Sequence, residues 1–342
     1  MARGSVRPLL HSVMDRAADY LIPFQVSLEV THRCNLSCKH CYIDTPVRDE
    51  LSLDEFKDVL DQLAAAGTMY LLLTGGEPLL RRDLFDIALY AKEKGFITML
   101  LTNGTLTTPW IAREIQRLEP VFVGMSLHGG TPDTHDAITK KPGSFAATIG
   151  AIRLLRSFGI TVALQTLLMD SNVHEANAMT NLAQELGVYL HVGHEFVPRR
   201  SGSVTPFRYE ANLTQLCHHI EEQPGKEKPT IPETSEVCKA GRGVCSISPT
   251  GDVFPCLLMP LKAGNLREAR FTEIWKSKPK PELNYLRSIT WDDLSACKAC
   301  NLARFCRRCM GIAFTETGEL TRPAPSACRN AVFRREFFKE RG

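Results

Sequence analysis

Three cysteines, Cys34, Cys38 and Cys41, lie with three and then two residues between them in the stretch Thr31-His32-Arg33-Cys34-Asn35-Leu36-Ser37-Cys38-Lys39-His40-Cys41-Tyr42. Three thiolates at that spacing can wrap one face of a cubane iron-sulfur cluster. The next cysteine, Cys217, is far along the chain, so no fourth ligand is near. A structural zinc or an electron-transfer cluster asks for four protein ligands. Three leave a metal position open to a small molecule, as catalytic metal sites require. The plainer alternative is a run of buried or zinc-binding cysteines.

A second motif is Thr74-Gly75-Gly76-Glu77-Pro78. Two glycines let the backbone approach a ligand closely, and a carboxylate beside them suits a cationic amino group. Taken alone the motif could be a turn. Its place one βα unit after the three cysteines favours a site.

The remaining thiols concentrate in the last hundred residues: Cys238, Cys245, Cys256, Cys297, Cys300, Cys306, Cys309 and Cys328. Eight is twice four, which suits two four-thiolate centres, with a zinc ribbon as the alternative because paired C-x2-C knuckles serve structural zinc. Cys217 has no ligand-like neighbour and reads as a plain thiol. Twelve cysteines behind an N-terminus that mixes Asp15, Arg16 and Asp19 into any apolar stretch do not suggest an exported disulfide protein. A cytoplasmic location is expected, where thiols stay reduced and available to metals.

These motifs need elements to position them. From Phe24 onward short apolar runs alternate with amphipathic stretches, the mark of βα units and a parallel sheet. Strands are predicted over Phe24 to Val30, Met69 to Leu73, Ile97 to Thr102, Val121 to Ser126, Thr161 to Leu167 and Tyr189 to His194. Ser52-Leu53-Asp54-Glu55 is a capping box, Asn172 with Glu175 reads as another, and Gly95, Gly159 and Gly187 fall where helices end. Six such units roll into an open barrel or a doubly wound sheet, with the chemistry at the C-terminal ends of the strands. His191 and His194 close the sixth strand and are weak candidates for proton donation or substrate contact. Beyond Pro198 a proline-rich bridge with a helical patch at Leu213 to Glu222 leads to a hairpin, Val244 to Ile247 and Val253 to Phe254, turning at Thr250-Gly251-Asp252. The expected divisions are 1–23 as an extension, 24–200 as the barrel, 201–236 as the bridge, 237–335 as the cysteine-rich domain and 336–342 as a tail.

Composition is ordinary for 342 residues: 44% hydrophobic, 23% charged, and 41 basic against 38 acidic residues, a net charge of +3. That balance gives no reason to expect nucleic-acid binding, and the pairs Arg307-Arg308 and Arg334-Arg335 read as solvated faces. No apolar run nears the ~18 residues of a membrane span, so no membrane partner is expected.

Cys34-x3-Cys38-x2-Cys41 followed by Gly75-Gly76-Glu77-Pro78 resembles the radical S-adenosylmethionine (SAM) superfamily over about residues 24 to 200. The resemblance implies a partial (β/α)6 TIM-like barrel, an α/β fold, in which the three cysteines hold a 4Fe-4S cluster and SAM chelates the open iron. It implies that Thr74, Gly75, Gly76, Glu77 and Pro78 line the methionyl amine and that Tyr42 packs beside the cluster. Asn103 in Thr102-Asn103-Gly104 and Ser126 in Ser126-Leu127-His128-Gly129 would contact SAM. Many relatives place an Arg for the SAM carboxylate about a dozen residues past that Ser. Here Lys140 stands in the corresponding stretch, a point charge and not a bidentate fork.

Cys238-x12-Gly251-x4-Cys256, then Cys297-x2-Cys300-x5-Cys306, then Cys328 resembles the SPASM domain of two auxiliary iron-sulfur clusters. It implies that Cys238, Cys245, Cys256 and Cys309 bind one cluster and Cys297, Cys300, Cys306 and Cys328 the other. The implied chemistry is reductive cleavage of SAM to a 5′-deoxyadenosyl radical, fed by an electron donor such as flavodoxin or ferredoxin, and net oxidation of the substrate. The pattern is similar to maturases of ribosomally made peptides, those of the pyrroloquinoline quinone and mycofactocin pathways, which implies a peptide substrate. About 23 residues before the first strand are too few for a winged-helix leader module, so a separate leader-binding protein is expected. Sulfatase maturases carry an acidic residue after the counterpart of Cys256, where this chain has Leu257. Oxidative trimming of tetrapyrrole side chains is the second expectation, and a non-catalytic zinc-stapled binding protein the third.

Overall fold

Strand β1 (Gln25–Thr31) is buried at every residue but its first. A strand covered on both faces belongs in the middle of a sheet flanked by helices. Val26, Leu28 and Val30 are fully enclosed, each contributing ~1.5–3 kcal/mol through burial of its side chain. The computed structural model describes residues 6–44, 47–212, 216 and 236–339. Cys217, most of the bridge and the helical patch expected from Leu213 lie outside the described residues.

The chain runs α1 (Val6–Asp19), β1, α2 (Leu53–Ala65), β2 (Tyr70–Gly75), α3 (Leu84–Glu93), β3 (Ile97–Thr102), α4 (Pro109–Leu118) and β4 (Val123–Ser126). There follow α5 (Pro132–Thr139), α6 (Ser144–Ser157), β5 (Val162–Leu167), α7 (Ala176–Glu185) and β6 (Tyr189–Gly193). The six strands fall within two residues of the predicted ones and pair parallel in chain order. Ser52 and Glu55 form the expected reciprocal cap. Asn172 and Glu175 do not. Asn172 is buried and donates to the carbonyls of His128 and Leu167, while Glu175 accepts from Gly130 and Thr131 N–H at the start of α5. The pair ties the β4 and β5 exits together, a tertiary use of residues that resemble a local cap.

The cysteine-rich segment is not a separate layer. Strand β7 (Val244–Ile247) pairs parallel with β1, and β8 (Asp252–Phe254) and β9 (Gly264–Asn265) follow antiparallel, so one nine-stranded sheet runs β6-β5-β4-β3-β2-β1-β7-β8-β9. The apolar core is likewise continuous, with Ile247, Val253, Phe271 and Trp275 joining Val26 and Leu28. Polar ties reinforce the join: Phe271 N–H donates to Gln62 Oε1 at 2.6 Å, and Trp275 Nε1 to the carbonyl of Leu21 at 3.0 Å. The N-terminal extension is also held, since Lys239 pairs with Asp15 at 2.6 Å and Gly243 lies against Ala18.

Two helices follow near the end, Met310–Thr317 and Pro325–Lys339, the second running into the stretch expected as a tail. Arg334 on it is 7% exposed and donates to the carbonyl of Phe305 at 2.9 Å, so the expectation of a solvated basic pair fails there. Its charge is taken by Glu195. No described helix is long and apolar enough to cross a membrane.

Candidate active site

A cavity of about 820 Å³ opens at the C-terminal ends of the barrel strands. Cys34, Cys38 and Cys41 line it together with Tyr42, Thr74, Gly75, Gly76, Asn103, Ser126 and Lys140. The loop that carries the three thiols leaves β1 directly, and it is pinned by backbone bonds from Ser37 and Lys39 N–H to the carbonyls of Thr139 and Ile138, each 3.1 Å. Gly76 is required by closeness of approach. A Cβ there would stand 2.4 Å from the carbonyl oxygen of Arg33, so the β2 exit and the cysteine loop touch backbone to backbone.

Glu77 and Pro78 do not line the cavity. The Glu77 side chain lies behind its wall with no exposed surface, accepting from Thr102 Oγ1 at 2.7 Å, Asn103 N–H at 2.7 Å and Leu79 N–H at 3.0 Å. Burial pushes its carboxyl above the usual range despite these donors. The expected counter-charge to an ammonium is therefore a brace: it holds Asn103, whose Nδ2 reaches Asn35 Oδ1 at 2.9 Å in the cysteine loop. His191 is exposed, and His194 packs edge-on against Phe333 with ring centres 5.8 Å apart. Neither lines the cavity.

Burial raises all three thiols of the loop, Cys38 to about 12, and the neighbouring Cys41 adds to the rise at Cys34 and Cys38. Among the later thiols, Cys256 is pushed to about 12 by burial and then by Cys238, with Cys309 also near, and burial raises Cys238 and Cys245. Cys306 is pushed to about 11 by burial and then by Cys328, with Cys297 and Cys300 also near, and burial raises Cys328. Crowded, desolvated sulfurs become thiolates when a metal supplies the compensating charge, and an all-sulfur donor set suits iron-sulfur clusters.

Family profiles match the chain at both places: the radical SAM superfamily at residues 28–183 and SPASM, an iron-sulfur cluster-binding domain, at residues 238–301. The chain is a radical SAM enzyme with a SPASM domain. An AdoMet-dependent heme synthase of Methanosarcina barkeri is 29% identical over 337 residues, which cover 89% of this chain and 95% of that one. Mycofactocin maturase MftC of Mycolicibacterium smegmatis is 28% identical, covering 93% of this chain and 85% of its own. The fold is similar to that of Streptococcus suis SuiB bound to precursor peptide SuiA, with TM-score 0.72, 14% identity and coverage of 94% and 80%. The radical SAM domain takes a 4Fe-4S cluster and SAM, and the SPASM domain takes auxiliary iron-sulfur clusters. Thiols are the donors such groups take.

The radical SAM domain also uses residues that the motifs did not flag. Glu29 has no exposed surface, and burial, which alone would raise its carboxyl, is outweighed by His32 and Arg200, which hold it below the usual range. Arg200 pairs with Glu29, its backbone N–H reaches the carbonyl of Tyr42 at 3.1 Å, and its guanidinium lies over the rings of Tyr42 and Phe254. An acidic residue inside an apolar strand was the signal for Glu29. Three imidazoles, His40, His128 and His135, pack against one another at 4.5 and 6.0 Å on the cavity wall. Burial lowers His40 and His135 to about 4 and holds His128 well below the usual imidazole range, so all three are neutral at pH 7. Leu257, noted for its place after Cys256, faces the same cavity.

Proposed function

We propose that the enzyme oxidatively trims carboxylate-bearing side chains of a tetrapyrrole. Cys34, Cys38 and Cys41 hold the catalytic cluster in this reading, and the two later sets of four thiols hold one auxiliary cluster each. Bound cluster and SAM supply one-electron cleavage of the C5′–S bond and, through it, hydrogen-atom abstraction. The chain's own residues shape the cavity over that point. Gly75 and Gly76 present backbone to SAM, Ser126 and Asn103 present polar side chains, and the neutral histidines keep that wall free of charge.

The observation that carries the reading is the cation content of the cavity. Among the described residues Lys39, Lys140 and Arg199 face it without a carboxylate within ion-pair distance. SAM brings a single carboxylate, so further cations suit a substrate with several. The end-to-end likeness to an AdoMet-dependent heme synthase supports the same class. Anaerobic incubation with SAM, a flavodoxin or ferredoxin as electron donor, and iron-coproporphyrin III tests it. Loss of carbon dioxide and hydrogen from the porphyrin, read by mass spectrometry, is expected, and an unchanged porphyrin would refute it.

A second reading is oxidation of a ribosomally made peptide, supported by the likeness to mycofactocin maturase. A neighbouring small peptide, co-expressed and weighed, would show loss of hydrogen masses or of carbon dioxide.

A further inference from the structure

Beyond β6 the chain carries two adjacent arginines whose circumstances differ. Arg200 is spent inside the protein, on Glu29 and His32. Arg199 lines the cavity, and its Nε is buried without a hydrogen-bond partner among the described residues. Its backbone is held on both sides: Arg199 N–H donates to the carbonyl of Ser203 and Gly202 N–H to that of Arg199, each at 2.9 Å, while the Arg200 bond to Tyr42 clamps the segment to the cysteine loop. Its charge is close enough to Cys41 to favour that thiolate. The other acids of the cavity lining do not claim it. Glu195 belongs to Arg334, and Asp44 forms no ion pair with Arg199.

A guanidinium held this way, with a buried donor left open, is costly unless a ligand completes it. A planar fork with parallel N–H groups matches a carboxylate in two-point contact, which the ammonium of Lys140 cannot supply. Lys140 is itself set by its backbone, in the left-handed conformation that ends α5. The geometry points to Arg199 as the residue that receives a carboxylate in the cavity, entering from the β6 side and not from the stretch after β4. The carboxylate comes either from SAM or from the substrate, and in the second case the inference rests on the tetrapyrrole reading.

The test uses the full chain with its clusters reconstituted, as wild type, R199Q, R199K and K140Q, with iron content and circular dichroism checked for each. SAM affinity is measured by equilibrium dialysis beside that of decarboxylated SAM, and iron-coproporphyrin III affinity by absorbance titration. Loss of one charge-assisted pair weakens binding at least about tenfold. If SAM is the source, R199Q weakens SAM by that factor, R199K recovers part of it, and decarboxylated SAM binds wild type and R199Q alike. If the substrate is the source, SAM is unaffected and the porphyrin is weakened by the same factor.

Unchanged affinity for both probes in a correctly loaded R199Q overturns the assignment, as does a loss confined to K140Q. A wild type that binds no porphyrin while R199Q still loses SAM affinity would refute the tetrapyrrole reading and leave Arg199 in place. Porphyrin turnover equal in wild type and R199Q, with both affinities unchanged, would do the reverse.

Discussion

Cys245 stands directly opposite Val26 in the parallel ladder between β7 and β1. A thiol of the SPASM domain is thus built into the strand beside the one that leads into the cysteine loop. The two domains share hydrogen bonds as well as a core.

A chain ending at residue 236 would strip β1 of that neighbour and leave an apolar strand edge, the usual start of aggregation. We expect it to elute as aggregate in size-exclusion chromatography. A full-length chain with Cys297, Cys300, Cys306 and Cys328 changed to Ala should remain monodisperse, since those residues lie outside the ladder. A monodisperse 1–236 fragment would show that β7 is dispensable.

Glu77 accepts three hydrogen bonds at the back of the cavity wall. Glu77→Ala orphans these donors at about 1–3 kcal/mol each where they stay buried, and frees Asn103 from its place beside Asn35. Lower stability in anaerobic urea unfolding and weaker SAM binding should therefore appear together. Weaker SAM binding with unchanged stability would mean that Glu77 touches SAM directly.

Arg267 bridges the domains through both carboxylate oxygens of Glu55, at 2.5 and 3.1 Å. This contact, with the Ser52 backbone bond, lowers Glu55 from 4.5 to about 2. A depressed carboxyl contributes stability that is present above its unfolded value and is lost as pH falls toward the folded one. The difference in urea midpoint between wild type and Glu55→Gln should be small, positive and constant at neutral pH. It should shrink as pH is lowered from about 5 to about 3. A difference that grows on acidification would contradict the ion pair.

Three thiol sets call for about 10–12 iron atoms per reconstituted chain. Replacing Cys34, Cys38 and Cys41 together by Ala should remove roughly four and abolish 5′-deoxyadenosine formation. Replacing Cys300 and Cys306 by Ala should lower iron while 5′-deoxyadenosine still appears without finished product. Zinc in place of iron would overturn both expectations.

The strands and the Ser52 cap were legible because each depends on residues near in sequence. Alternation of apolar runs sets strand and helix by local periodicity, and Cys34-x3-Cys38-x2-Cys41 carries its meaning in the spacing. What the chain order could not show is which side chain meets which across the fold. Glu77 reads as a ligand contact and is a brace, because Thr102 and Asn103 at the β3 exit converge on it beside the local Leu79 N–H. His191 and His194 sit at a strand end but turn away from the cavity. Arg199 and Arg200 look equivalent in sequence. Glu29, 171 positions from Arg200, claims one and leaves the other to the cavity. The shared sheet was hidden for the same reason: a four-residue strand such as Val244–Ile247 has no local feature that names its partner, and only burial beside β1 selects it.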